Sequence, residues 1–404
     1  MIFDFVFNKR SKVTLLLDIG NGSISSALAI YKGKDASYII RSSISPISLN
    51  LLDNIVSISS YVEKYLDLSI EDTLKNAFED QYFKKNKLPK TIDNALVSFS
   101  SPWFSMKSKE ININKDKEFV VTESFLKNVL DKEAERFLEE TSSLDDVLHK
   151  GENFYVEKAI TSTKINGYYL MSSLGKKTKS LDMYLYMSLV LNDMVSVVRK
   201  SISNHTRLSD SEIYLHTFPF VSFSISNFMF PTTSNYLLMD ITSEITDFTL
   251  VKDKTIVSSV SFPIGRNFII RQISKVFDVS FEIAESFLHM FTNKKTDSNM
   301  TERIVDILSD VEKEWSIYLE DALLKLSPTM FLPTTIYITA EKDIVPLYVD
   351  FLSLSKSDNT SNFRKNIQTV HLSKDLLNKL CKFKPNIKQS EFIGMLALFN
   401  KFMY

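Results

Sequence analysis

The chain has few of the residues that usually announce a chemistry. Glycine is scarce, at 8 residues in 404. Cysteine occurs once, as Cys381, which excludes an intramolecular disulfide and fits a reducing compartment. Its setting, Leu380-Cys381-Lys382-Phe383, has no histidine near it and predicts a buried structural thiol, not a nucleophile. The histidines His149, His205, His216, His289 and His371 show no metal-ligand spacing, and no Gly-x-Ser-x-Gly or Walker loop occurs. His216, ahead of the aromatic run Phe218, Phe220 and Phe223, reads as a packed strand-end histidine. Formal net charge is −1, so electrostatics gives no case for nucleic acid. The run Lys84-Lys85-Asn86-Lys87 reads as a solvated helix end. No segment reaches the roughly 18 uninterrupted apolar residues of a membrane span. Met1 to Phe7 is apolar, but Asp4 breaks it and Lys9-Arg10 follows it, the reverse of a signal peptide. It reads as a leader strand or tail, too short to anchor a protein of this size.

What the chain does have is a core and a repeated loop. A hydrophobic fraction of 44% over this length predicts two or three domains. Two of the eight glycines fall in one loop, Asp18-Ile19-Gly20-Asn21-Gly22-Ser23, between the strand-like runs Val13 to Leu17 and Ile24 to Tyr31. Glycine lets backbone N–H groups approach an anion closely, and successive N–H groups in such a turn make a concave anion site. A strand, a turn opening with Asp and a second strand also describe an ordinary hairpin. The pattern recurs at Asp240-Ile241-Thr242-Ser243-Glu244-Ile245-Thr246-Asp247, between Tyr236 to Met239 and Phe248 to Val251. Two Asp-led hairpins about 220 residues apart suggest a duplicated fold, each half presenting its turn to a shared cleft.

With those residues in view the chain resembles the actin-like ATPase superfamily, and within it the bacterial PilM and FtsA proteins. The two loops match the first and second phosphate motifs. Ser261-Phe262-Pro263-Ile264-Gly265 is similar to the proline-glycine step after the second. Leu96 to Phe104 is similar to the entry into the small subdomain that FtsA and PilM carry in place of an actin subdomain. The likeness runs from Val13 to about Leu352. It implies an α/β, duplicated actin-like (ribonuclease H-like) fold, with two lobes around a nucleotide cleft and an inserted α+β subdomain in the first lobe. It implies ATP and Mg as cofactors. Asp18 and Asp240 would hold Mg through waters. Gly20, Asn21, Gly22 and Ser23 would face the phosphates, with Thr242, Ser243, Thr246 and Gly265 opposite, and Ala340 and Glu341 would stand at the adenosine motif. The sequence departs from the pattern at Thr242 and Ser243, where glycines are expected, and at Glu244 and Glu341. Those two carboxylates predict weak nucleotide binding and at most slow hydrolysis. The residue that positions the attacking water is sought in Glu212 to Thr217, which offers no clear match.

The expected organisation is a first lobe of 1–99 and 204–235 joined by a C-terminal helix, 391–403, and an insert at 100–203. A second-lobe core of 236–279 and 334–390 carries a helical subdomain at 280–333. The resemblance implies a cytoplasmic scaffold, peripheral at the inner face of the cell membrane. It would recruit a membrane-spanning protein through the insert and possess a capacity for self-association, with no nucleic acid and no transmembrane segment of its own. Pilus assembly and cell division stay open. So do a pseudo-ATPase acting only through protein contacts and, as a third class, a sugar-kinase-like enzyme, for which no Asp base is recognisable.

Overall fold

The computed structural model describes residues 11–33, 37–46, 55–86, 88, 90–142, 152–170, 172–327, 332–354, 366–385, 387 and 390–404. Met1 to Phe7, and Lys87 of the basic run, lie outside the described residues.

Two sheets share one wiring. In the first, β1 (Lys12–Ile19), β2 (Ser23–Tyr31) and β3 (Ser37–Pro46) form an antiparallel meander. β4 (Asn94–Phe99) adds to β1 in parallel, and β9 (Ile213–Thr217) adds to β4; β15 (Cys381–Phe383) closes the β3 edge. In the second, β10 (Tyr236–Ile241), β11 (Thr246–Lys252) and β12 (Thr255–Phe262) repeat the meander. β13 (Thr335–Thr339) adds to β10 in parallel, and β14 (Gln368–His371) adds to β13. In each half, a tight turn after the first strand ends an apolar run with Asp-Ile. Such runs suit strands covered on both faces: Leu15, Leu16, Leu17, Leu237, Leu238 and Met239 are all fully buried.

Helices cover the outer face of each sheet. On the first sheet, α1 (Ile55–Glu79) and α4 (Asn192–His205) pack Val62, Leu66, Ile70, Val195 and Val198 over β1 and β4. The five-residue α2 (Gln81–Lys85) ends in the exposed Lys84, Lys85 and Asn86. On the second sheet, α6 (Arg266–Phe277), α7 (Phe281–Thr292), α8 (Ser298–Leu326) and α9 (Val345–Leu354) build a core around Trp315 and Tyr348. The chain reaches β15 through the short α10 (Lys374–Leu377).

The inner faces of the two sheets meet through α5 (Phe218–Met229) and α11 (Glu391–Met403). One hydrophobic cluster joins Leu16 and Leu96 of the first sheet to Leu238 and Tyr337 of the second by way of Phe218, Phe223, Leu396 and Phe399. Residues 391 to 400 of α11 are all buried, so this helix is apolar all round instead of amphipathic. Cys381 is buried in the same cluster, and desolvation pushes its thiol up to about 12, which leaves it unreactive.

Between β4 and β9 the chain makes a third sheet from β5 (Phe104–Val120), β6 (Asn153–Ile165), β7 (Tyr168–Leu170) and β8 (Lys177–Leu191), ordered β5-β8-β6-β7. The Asn166-Gly167 turn joins β6 to β7 with φ of 50° and 82°, the left-handed pair that a two-residue hairpin needs. α3 (Glu123–Ser142) lays Phe125, Leu126, Val129, Leu130, Ala134 and Phe137 on one face of this sheet. The near end of the insert merges with the first lobe. Phe104, Phe154 and Val190 pack into the first-lobe core. The buried Glu157 carboxylate accepts from Thr217 N (2.7 Å) and Ser188 Oγ and faces His216 Nδ1 at 3.2 Å. His216 Nε2 lies 2.7 Å from the Tyr404 hydroxyl, so this histidine is a packed, bonded strand-end residue.

Candidate functional site

The two Asp-led turns face each other across the junction of the lobes. Asp18 and Asp240 sit in matching places, each one residue before the end of the first strand of its meander. Both are buried. Desolvation raises the Asp18 carboxyl to about 6, although Ser98 Oγ donates to it at 2.7 Å. Burial pushes Asp240 well above the usual carboxylate range, and Asp247 and Asp18 add to the shift. The hydroxyls of Thr339 and Ser222 lie close enough to oppose it, yet Asp240 Oδ1 makes no hydrogen bond of ordinary geometry. Asp247 completes a group of three buried acids. It is raised to about 6 by burial, and it accepts from Ser101 Oγ (2.7 Å) and Ser261 Oγ.

The loops do not leave a gap. Asn21 is buried, and its Nδ2 donates to Thr242 Oγ1 (2.7 Å) in the opposite loop and to Ser101 O (2.8 Å). Its Oδ1 accepts from Glu244 N at 2.9 Å. Gly22 lies so near Ser243 that a Cβ on it would stand 2.3 Å from the Ser243 Cβ. Glycine is required there by close approach to protein, which leaves no space for a phosphate between the two residues. Gly265 is crowded in the same way deeper in the junction, where a Cβ would fall 2.5 Å from Thr242 O.

Several further groups of the loops are bonded internally. Gly20 N bonds Ser23 O, and Trp103 Nε1 bonds Gly20 O at 2.7 Å, tying the first loop to the entry of the insert. Thr242 Oγ1 donates to Ile245 O, and Thr246 Oγ1 to Ile264 O. The first amides of α6, an anion site in most settings, are taken by protein: Arg266 N donates to Thr242 O and Asn267 N to Ser243 O. Ser23 and Ser243 are half-buried beside the junction.

The two carboxylates expected to repel a nucleotide are both neutralised. Glu244 is held by Arg271 Nη1 (2.8 Å) and Asn267 Nδ2 (2.8 Å), side chains one helical turn apart on α6. Glu341 pairs with Arg266 Nε (3.1 Å), and the same guanidinium meets Glu285 (2.7 Å) and Asp343 (3.5 Å). Arg266 thereby ties α7 to the segment after β13. Ala340 is buried, and its carbonyl lies 3.2 Å from His371 Nε2. Glu391, at the start of α11, is raised to about 7 by burial, with Glu341 and Asp343 adding to the effect. A separate cavity of about 340 Å³ lies to the side, lined by Phe291, Lys294, Thr301, Asp343 and Leu347.

ATP and Mg, which the fold implies, are therefore poorly matched by the loops as they stand. The acids suited to a cation are present, but Asn21 bridges the two loops that the resemblance assigns to phosphates, and its Oδ1 takes the Glu244 amide. Thr217, in the stretch searched for a water-positioning group, has its hydroxyl occupied by Tyr186 and Glu157. Ser98, Ser101, Trp103, Asp247, Asn267 and Arg271 were not among the site residues drawn from the sequence. Asp247 had a signal there as the last residue of the second motif, and Ser98, Ser101 and Trp103 had one as members of the Leu96–Phe104 likeness.

No protein-family model matches the chain, and no curated protein matches it. Solved structures do. A PilM-PilN type IV pilus biogenesis complex is similar at 12% identity and a TM-score of 0.59, over 98% of each chain. The ethanolamine utilization protein EutJ from Carboxydothermus hydrogenoformans is similar at 9% identity and a TM-score of 0.44, over 98% of this chain and 92% of that one. A protein of actin-like ATPase fold from Bacteroides thetaiotaomicron follows at 10% identity and a TM-score of 0.40, over 99% of each. Repeated meanders, facing Asp-led turns and an end-to-end likeness to the PilM-PilN structure together give the fold: a two-lobed actin-like ATPase fold of the PilM type.

Proposed function

We propose that this chain is a PilM-like scaffold at the inner face of the cell membrane. It recruits a membrane-spanning partner and acts through protein contacts, with its nucleotide site sealed by its own side chains. The observation that carries this reading is Asn21, which bridges Thr242 and Glu244 across the lobes where a nucleotide phosphate belongs in this fold. The PilM-PilN structure is that of a complex, which favours a partner-binding role over an enzymatic one. Among the described residues no helix is long and apolar enough to cross a membrane, so attachment falls to the partner. The insert, 100–203, is the recruiting element: among the described residues it meets the facing loops only at its entry, through Ser100, Ser101 and Trp103, and it presents a separate sheet and helix.

A second reading keeps ATP and Mg. Asp18 and Asp240 share one buried interior, and lobes that swing apart would free them and the amides now bonded to Asn21. Capture of the cytoplasmic segment of a single-span membrane protein encoded beside this one separates the two. The scaffold reading expects equal capture with and without Mg-ATP. Capture that requires Mg-ATP contradicts it.

A further inference from the structure

Sealed loops leave the distal end of the insert as the most distinctive open surface. There the third sheet runs beyond the body. Tyr168 is 77% exposed, Leu174 50%, Val120 44% and Leu170 38%. Val120 pairs with Lys177, and Gly175 N bonds Val121 O, so the 173–177 turn and the end of β5 form one tip. Tyr168 follows the Asn166-Gly167 turn, whose Asn166 N bonds Ser180 O on the same end of β8. Lys176, Lys177 and Lys179 are exposed there, and none meets a carboxylate among the described residues. Asp116 and Glu118 alternate with Lys115 and Lys117 in the bulge of β5, and Glu123 stands exposed at the start of α3, so beside Lys176, Lys177 and Lys179 the tip keeps an excess of positive charge. Tyr169 and Lys164, by contrast, face the body, where Lys164 lies 3.7 Å from Asp253.

We propose that this tip is a contact for an anionic lipid surface. The patch is built from two turns and a sheet edge, so it is convex. An extended peptide would have to pair with the three-residue β7 edge, whereas a bilayer needs only the exposed lysines and apolar side chains that the tip supplies. Tyrosine and leucine set among uncompensated lysines match the headgroup region in polarity and charge. Each lysine near an anionic leaflet strengthens binding about fivefold, so three give about a hundredfold, enough for a weak, salt-sensitive contact and not for an anchor. The inference goes beyond the scaffold reading and does not need the partner; it would orient the insert toward the membrane from which such a partner emerges.

The test is co-flotation of the purified full-length protein, without partner, on phosphatidylcholine vesicles with and without phosphatidylserine. Binding is expected only to the anionic vesicles at low salt, and it should fade at physiological salt. A Lys176→Gln, Lys177→Gln, Lys179→Gln variant should lose it by about a hundredfold while melting as the parent does. Tyr168→Ser with Leu174→Ser should weaken it without changing its salt dependence. A variant lacking residues 1–10 should bind as the parent does. Equal binding to neutral vesicles, no binding at low salt, an undiminished triple variant, or loss on removing residues 1–10 would each overturn the proposal. Failure here would leave the scaffold reading intact, because partner capture is measured without lipid.

Discussion

Asn21 makes three side-chain hydrogen bonds, two of them to the opposite lobe. Replacing it by alanine leaves Glu244 N and Ser101 O without their partner and opens a polar hole at the junction. At ~1 kcal/mol per lost bond plus the cost of stranded groups, Asn21→Ala should destabilise the protein by about 2–4 kcal/mol, read by urea denaturation. The buried acids give a pH signature. Asp18 and Asp247 are raised to about 6 from 3.8, so the folded state holds more protons than the unfolded state between those values. Their contribution to stability is complete below about pH 4 and declines as pH rises through about 6. Asp18→Asn should therefore raise the Tm at pH 7, by on the order of 2–3 kcal/mol of stability at most, and flatten the slope of Tm between pH 4 and 7. A variant with a steeper slope would show that the carboxylate is stabilised in the fold. The Asp-Ile turns were legible because local pattern alone creates them. Asn21 was legible as a member of the first phosphate motif but not as a bridge, since its partners lie 221 and 223 residues away and are set by lobe packing. Glu244 read as a repelling charge because its partners, Asn267 and Arg271, are distant in sequence, although their four-residue spacing on one helix face was there to be found.

The elements differ in how openly they declare themselves. α3 and α8 carry apolar stripes at helical spacing, and the Asn166-Gly167 turn marks its hairpin. α5 is less visible. Phe218 to Met229 is apolar nearly all round, because it packs against both sheets, and so it lacks the periodicity that distinguishes a helix from an aromatic strand end. Pro219 in its first turn was the available signal. The insert poses the opposite problem. It is an insertion in the chain, yet Phe104, Phe154 and Val190 pack into the first-lobe core and Thr217 N donates to Glu157. Deleting it would strip that core, so its role is better probed at single positions. Glu157→Ala leaves His216 Nδ1 and Thr217 N without their partner and removes the acceptor of the Ser188 hydroxyl in a buried site. It should cost about 3 kcal/mol, and hydrogen exchange should speed up in β6, β8 and β9 while α6 to α8 stay protected. Uniform loss of protection would mean that the lobes and the insert unfold as one unit.

For the whole molecule, duplication was readable from two Asp-led loops, and the repeated meanders carry it out. Closure of the junction was not, because it depends on how two lobes meet and on what an asparagine does between them. The sequence predicted weak nucleotide binding from Glu244 and Glu341. Both carboxylates are paired, so the proposed reading assigns the obstruction instead to the Asn21 bridge with the Gly22–Ser243 contact. Calorimetric titration of the purified protein with Mg-ATP tests this most directly. The account predicts no measurable heat at millimolar ATP, for the parent protein and in the presence of excess Mg alike. Saturable binding at or below millimolar ATP would contradict it and restore the nucleotide-binding scaffold.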